Sequence, residues 1–316
     1  MVRTINNSDF FVRPKTLFAH SPNMSVTEVE SGTIVIAGIG CDHATTGQPG
    51  ARHGPDRLRE ISTRFIAYDR DIFTLNNRGW YNAEIGKVIL KGVPFVDIGN
   101  VAHHLPEDPH EFYDRCYKAA LAIYTKKAFP VFIGGDHSIS APLIRACGEV
   151  HDKLTLIHFD AHTDLGEWDS SMTHHHGNVM SRVLHENPDL EIHQFGIRGF
   201  AGIPSSSSRC HVSRQREIDI DLNKVLSTRI PRGRKCYISI DVDVLDPSIA
   251  PGTGTPVPMG MMPSTLLCLL EAVARQNQVV GIDIVELSPC LDRNDITTSL
   301  VFHVLMCILE WAHESR

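Results

Sequence analysis

No run of basic residues interrupts this chain, and that absence narrows its partners first. Lys and Arg number 30 against 37 Asp and Glu, a formal net charge of -7, so neither nucleic acid nor an anionic membrane surface is expected. Apolar segments of membrane-spanning length are lacking. Met1 to Asn7 also lack the basic-then-apolar form of an export signal, so a cytoplasmic location is expected. Cys-x-x-Cys pairs are missing. The eight cysteines (Cys41, Cys116, Cys147, Cys210, Cys236, Cys268, Cys290 and Cys307) are dispersed, several inside apolar runs, and read as reduced, mostly buried thiols. A dinucleotide fingerprint is incomplete, because His43 stands where the third glycine after Gly38 and Gly40 would fall. Neither an internal repeat nor a long linker divides the 316 residues, a length that suits one large α/β core.

What is present is alternation. Residues 1–32 are polar and irregular, an arm expected to lie over the domain or a neighbouring subunit; residues 33–316 read as a single domain. Continuous apolar character predicts a buried strand at Thr33 to Gly40, and further strands are read at Gly92 to Gly99, Phe129 to His137, Leu154 to Asp164 (which starts as an apolar run), Glu191 to Ile197, Cys236 to Asp243 and Val279 to Glu286. Between them, three-and-four spacing predicts helices from Pro55 to Ser62, Pro109 to Lys127, Ile139 to Val150, Asn178 to Glu186, Ser264 to Arg275 and Ile296 to His313. A shorter helix is predicted over 217–227, and 200–215 reads as a Ser/Arg-rich loop. Strands alternating with helices call for a mostly parallel sheet covered on both faces.

Ligands of such sheets gather beyond the carboxyl ends of the strands, and there the chemistry-bearing residues fall. Leu154 to Asp164 ends in Asp160, His162 and Asp164 at every second position, which extended backbone would direct to one side. Cys236 to Asp243 delivers Asp241 and Asp243, and Phe129 to His137 delivers His137. Neighbouring carboxylates at a strand tip repel unless a cation or hydrogen-bond donors compensate. Four carboxylates and two imidazoles without a thiolate suit two divalent ions of the Mn²⁺ to Zn²⁺ series, Mn²⁺ first and Ni²⁺ next. Two such ions balance four Asp, so the site should accept a cationic substrate, and paired metals activate water for hydrolysis.

Gly134-Gly135-Asp136-His137-Ser138, His158-Phe159-Asp160-Ala161-His162-Thr163-Asp164 and Ser239-Ile240-Asp241-Val242-Asp243 together resemble the three signature motifs of the ureohydrolase (arginase/agmatinase) family. Asp246 to Pro256 and Pro49 to Pro55 resemble its agmatinase branch. The likeness runs from about Thr33 to the carboxy terminus. It implies a three-layer α/β/α sandwich, a binuclear Mn²⁺ centre, and a trimer or hexamer, with a hetero-oligomer containing a paralogue as the variant. It further implies one metal on His137, Asp160, Asp164 and Asp241 and a second on Asp160, His162, Asp241 and Asp243. Asp164 would carry a proton to the leaving amine, and Glu286 would bind the guanidinium. His176, followed by Gly177, matches a His-Gly pair near the substrate, where it would shuttle protons or bind substrate.

Asn178 departs from the Thr usual after that pair in agmatinases. This segment and the Leu165 to Thr173 loop would meet the substrate beyond its guanidinium. The implied reaction releases urea and an amine from a guanidino compound. Agmatine, guanidinobutyrate, guanidinopropionate, an antibiotic precursor, guanidine and a biguanide all remain open as substrates. The Asp-Val-Asp pair argues against the related deacetylase chemistry. A non-catalytic subunit of a hetero-oligomer would be expected to have lost ligands, and this chain keeps all six with Glu286.

Overall fold

The computed structural model of the chain describes residues 10–65, 79–104, 106–169 and 174–315. Eleven strands follow in order: β1 (Phe11–Val12), β2 (Ile34–Gly38), β3 (Trp80–Asn82), β4 (Lys87–Ile89), β5 (Phe95–Val101), β6 (Phe129–Ile133), β7 (Leu154–Phe159), β8 (Glu191–Ile197), β9 (Cys210–Arg214), β10 (Lys235–Asp241) and β11 (Gln278–Val285). Nine of them form one sheet in the order β1-β5-β2-β6-β11-β10-β7-β8-β9. Every pairing in it is parallel except that of β1 with β5. The remaining two make an antiparallel hairpin.

Among the described residues, eight α-helices cover the sheet: α1 (Gly54–Ser62), α2 (Pro109–Thr125), α3 (Ser140–Val150), α4 (Val179–Glu186), α5 (Gln215–Ile220), α6 (Leu222–Thr228), α7 (Pro263–Gln276) and α8 (Ile296–Glu314). One apolar core joins the sheet to α1 and α5 through α8, and a second joins its other face to α2, α3 and α4. Because both faces are buried, the central strands are dominated by apolar residues. The expected α/β/α sandwich is the fold.

Several expectations change in detail. The Ser/Arg-rich stretch ends in a strand, β9, at the sheet edge. Two residues of the arm extend the opposite edge, Phe11 facing Val101 and Val12 facing Asn100. Among the described residues, one helix is long and apolar enough to span a membrane by length and composition: α8, with 19 residues and a mean hydropathy of 1.4. Two thirds of it (67%) is buried against the fold, so its apolarity belongs to the core.

A buried ion pair locks the arm, α1 and β5 together. The Arg59 guanidinium donates to both carboxylate oxygens of Asp97, at 2.8 and 3.0 Å, and to the Gly99 carbonyl. The same carboxylate accepts the backbone N–H of Phe18 and of Gly99. Both side chains are fully buried, so removing one partner strands the other charge. Asp97→Ala is therefore expected to cost roughly 3–5 kcal/mol, read by chemical denaturation.

Candidate metal centre and catalytic pocket

Four adjacent strands at the middle of the sheet, β6, β11, β10 and β7, end level with one another: Ile133 lies beside Ile284, Asp241 beside Val285, and Ile240 beside Phe159. His137 follows the first, Glu286 the second, Asp241 closes the third, and Asp160 follows the fourth. The side chains converge through turns rather than through strand alternation, because β7 stops at Phe159. The Asp160 carboxylate accepts the backbone N–H of His162, Asp241 that of Asp243, and Asp136 that of Ser138. One Asp-x-x turn is thus repeated at three strand ends; Asp160 and Asp241 face the site, whereas Asp136 turns its second oxygen to the Ala44 backbone N–H. Asp164 and Glu286 complete the turns in left-handed backbone, with φ of +50° and +60°, a strained choice for non-glycine residues that clusters at functional sites.

The Gly-Gly before Asp136 has a steric cause. A Cβ on Gly135 would collide with the Cys41 carbonyl oxygen. That close approach lets Gly135 N–H bond Ile39, Asp136 N–H bond Cys41, and Glu286 N–H bond the Gly135 carbonyl.

His137 is fully buried, and its Nδ1 lies 3.1 Å from Asp160 Oδ2, 3.1 Å from Asp164 Oδ2 and 3.4 Å from Asp241 Oδ2. The ring's tautomer follows from its other side. Ser239 Oγ donates to Asp283 (2.7 Å) and so accepts from His137 Nε2–H (3.0 Å), while Tyr237 donates to the second Asp283 oxygen (2.8 Å). Nδ1 therefore turns a lone pair toward three carboxylate oxygens, and it has no hydrogen-bond partner of its own. Burial opposes charging this ring, yet the surrounding carboxylates hold its pKa well above the ordinary value. The cluster favours positive charge at that point, the environment that suits a cation.

A second cluster adjoins the first. His162 Nδ1 lies 3.0 Å from Asp243 Oδ2 and 3.5 Å from Asp160 Oδ1. Asp243 also accepts from Ala161 N–H and from the Thr255 hydroxyl. Burial, then Asp243 and Asp160, push Asp241 upward; burial, then Asp160, do the same to Asp243. Asp160 alone is driven down: His158, His137 and His162 outweigh its burial. All six residues expected to share this location do so; His137, His158, Asp160 and Asp164 form one group that could hold a metal ion and Asp160, His162 and Asp243 another, with Asp160 common to both and Asp241 beside the first.

His176 and Glu286 stand behind the first cluster. Glu286 Oε1 accepts the His137 backbone N–H at 3.0 Å and lies 3.3 Å from His176 Nδ1. The Thr46 backbone N–H can only donate, so His176 Nε2 accepts it (3.0 Å) and Nδ1 carries the proton toward Glu286. The Asn178 amide donates to the Glu167 carbonyl, holding the loop; Asn178 and Glu286 both sit just behind the residues that line the cavity. His174 turns away, stacking on Tyr113 with ring centroids 3.4 Å apart. Of the Leu165 to Thr173 loop, positions 170–173 lie outside the described residues.

The cavity above the clusters is about 250 Å³ and is lined by His162, Asp164 and Asp241 at its floor, with Thr46, His175, His176 and Ile203 among its walls. Three supporting residues escaped sequence reasoning. His158 donates through Nε2 to Asp160 (2.9 Å) because Gln194 donates to its Nδ1 (2.9 Å). Arg198 donates to the carbonyls of Asp243, Val244 and Val257, pinning the loop that carries Thr255. Each needed a neighbour from another strand to be recognised.

The comparisons agree with this geometry. A family model described as "Arginase family" matches residues 32–310. Among curated proteins, the agmatinase of Bacillus subtilis (strain 168) is 30% identical over 286 residues, covering 88% of this chain and 91% of its own length. Among solved structures, proclavaminate amidino hydrolase from Streptomyces clavuligerus superposes with a TM-score of 0.80 at 26% identity, covering 95% of this chain and 98% of its own. A hypothetical agmatinase from Burkholderia thailandensis gives a TM-score of 0.80 at 26% identity, with coverages of 94% and 90%.

Proposed function

The chain belongs to the arginase family and is an amidinohydrolase, acting on the C–N bonds of linear amidines; from that premise we propose that it cleaves a small cationic guanidino compound to urea and an amine at a pair of divalent cations. The observation carrying this reading is the buried His137 Nδ1, its lone pair facing three carboxylate oxygens at 3.1–3.4 Å. His137, Asp160, Asp164 and Asp241 would hold one cation; Asp160, His162, Asp241 and Asp243 would hold the other, Mn²⁺ first and Ni²⁺ next by donor type. When bound, the pair supplies a water of lowered pKa and balances four carboxylate charges.

The protein's own residues do the rest. Glu286 offers a buried carboxylate to the planar guanidinium, a charge-assisted contact that fixes the reacting carbon over the floor of the cavity. Hydrolysis adds the water oxygen to that carbon, breaks one C–N bond, and delivers a proton to the departing nitrogen. Asp164 reaches the cavity floor and hands over that proton; its backbone is fixed where its carbonyl accepts Met180 N–H. His176, held between Thr46 and Glu286, orients the guanidinium-binding acid.

Among the described lining residues, Asp164 and Asp241 are the only carboxylates and neither Arg nor Lys occurs. Tail recognition therefore rests on shape and neutral hydrogen bonds, which favours guanidino compounds with short, uncharged tails. A panel running from guanidine through alkylguanidines to guanidinobutyrate and agmatine, read as urea and amine on Mn²⁺- and Ni²⁺-loaded protein, tests this. Urea from the short neutral members is expected; no urea from any compound would overturn the proposal.

The Ser239–Asp283 relay makes a separate prediction. Ser239→Ala removes the acceptor that fixes the His137 tautomer, and metal affinity is expected to fall roughly 10–100-fold with the fold unchanged. Metal titration followed by circular dichroism of the same samples checks it.

A further inference from the structure

Away from the catalytic pocket, the edge of the sheet gathers a second, unrelated set of metal-capable side chains. His193 on β8 pairs in register with His211 on β9, so the two imidazoles stand on the same face of neighbouring strands, with ring centroids 4.6 Å apart. Glu191, two residues before His193, shares that face. One ligand atom from each of the three lies within 4.8 Å of the others. Atoms bound at 2.0–2.1 Å to a shared tetrahedral ion sit roughly 3.4 Å apart, so side-chain rotations of about an ångström would close the set. By register, His193 lies level with Ile157, three residues or about 10 Å before the strand end that bears Asp160. The catalytic carboxylates therefore take no part.

We propose that Glu191, His193 and His211 form a third divalent-cation site, of the Zn²⁺ class, clamping the edge strand β9 to β8. The tautomer supports it. The Arg229 carbonyl can only accept, so His193 donates to it through Nδ1 (3.2 Å) and keeps Nε2 free with its lone pair, the arrangement that a backbone carbonyl imposes on metal-binding imidazoles. Burial, then the His211 ring, lower the His193 pKa to about 4, leaving the imidazole neutral and able to ligate. Two imidazoles and a carboxylate suit Zn²⁺, Ni²⁺ or Cu²⁺ rather than Ca²⁺ or Mg²⁺.

The clamp also adjoins the catalytic cavity without entering it. Residues 198–209 connect β8 to β9, and Ala201, Gly202, Ile203 and Pro204 of that connection line the catalytic cavity. His193 and His211 bracket the connection, so a cation joining them fixes both of its anchor points.

The test compares wild type with His211→Ala and Glu191→Gln, two substitutions at positions open enough to leave the fold intact. Each protein is dialysed against micromolar Zn²⁺ and its bound metal is counted by mass spectrometry. Wild type should hold one equivalent more than either variant. In wild type, Zn²⁺ should also slow carbethoxylation of His211 at least tenfold, read on the peptide. Urea release by the Mn²⁺-loaded proteins should be the same in all three, so failure here is distinguishable from failure of the catalytic assignment. Equal zinc counts in wild type and variants, unchanged His211 modification, or binding at millimolar zinc only (an adventitious ion) would each overturn the site.

Discussion

Asp241→Ala is expected to release metal from the protein and to reduce urea production by on the order of 10³-fold or more, because the several kcal/mol that metal ions contribute to hydrolysis vanish with them. Asp241 closes β10 and is buried. It stands 3.4 Å from His137 Nδ1, and its other oxygen fixes the turn that delivers Asp243. Removing it takes a negative charge from both clusters and loosens the second. Asp241→Asn separates these effects. The amide oxygen still accepts the Asp243 N–H, so the turn survives while the charge is gone, and metal loss should persist. Metal content after dialysis, with urea release on the same preparation, decides the matter. An alanine variant that keeps both would remove Asp241 from the site.

Glu286→Gln should behave in the opposite way toward metal. The glutamine oxygen can still accept the His137 backbone N–H that Glu286 Oε1 accepts at 3.0 Å, so both clusters keep their shape and the bound metal stays at the wild-type level. What disappears is the charge facing the guanidinium. Truncating one partner of a buried charge pair costs about 2–5 kcal/mol, so kcat/KM should fall on the order of 10²–10³-fold. Steady-state kinetics on metal-replete protein checks this, and a value within about threefold of wild type would assign guanidinium recognition elsewhere. The contrast between the two variants, one losing metal and the other only turnover, separates the roles of the two residues.

Much of this was legible in the chain itself, for a physical reason. β6, β7, β10 and β11 are buried on both faces, so each is dominated by apolar residues, and a carboxylate or imidazole directly after such a stretch stands out. The way those side chains meet was less legible. Alternation along extended backbone suggested that Asp160, His162 and Asp164 share a face, whereas the strand ends at Phe159 and turns bring them together. A turn of this kind is specified by hydrogen bonds between a carboxylate and the N–H two residues on, which a hydropathy pattern does not record.

The edge strands were hidden for a related reason. β9, Cys-His-Val-Ser-Arg, is half exposed and carries neither an apolar run nor clean alternation. β1 has only two residues. His158 and Asp283 lay within recognised strands yet gave no sign of their roles. Their meaning comes from Gln194 on one neighbouring strand and from Ser239 and Tyr237 on another. Asn178 shows the converse: a departure from a familiar motif drew attention to a residue whose amide braces the Glu167 carbonyl.

The account stands on cations held between the strand ends, and anomalous diffraction from a crystal grown with Mn²⁺ tests that most directly. Two peaks are expected, ~3.5–4 Å apart, one beside His137 Nδ1 and the other beside His162 Nδ1, with Asp160 and Asp241 touching both. A map with no peak among these side chains, or with His137 Nδ1 hydrogen-bonded to a carboxylate in place of a metal, would contradict it.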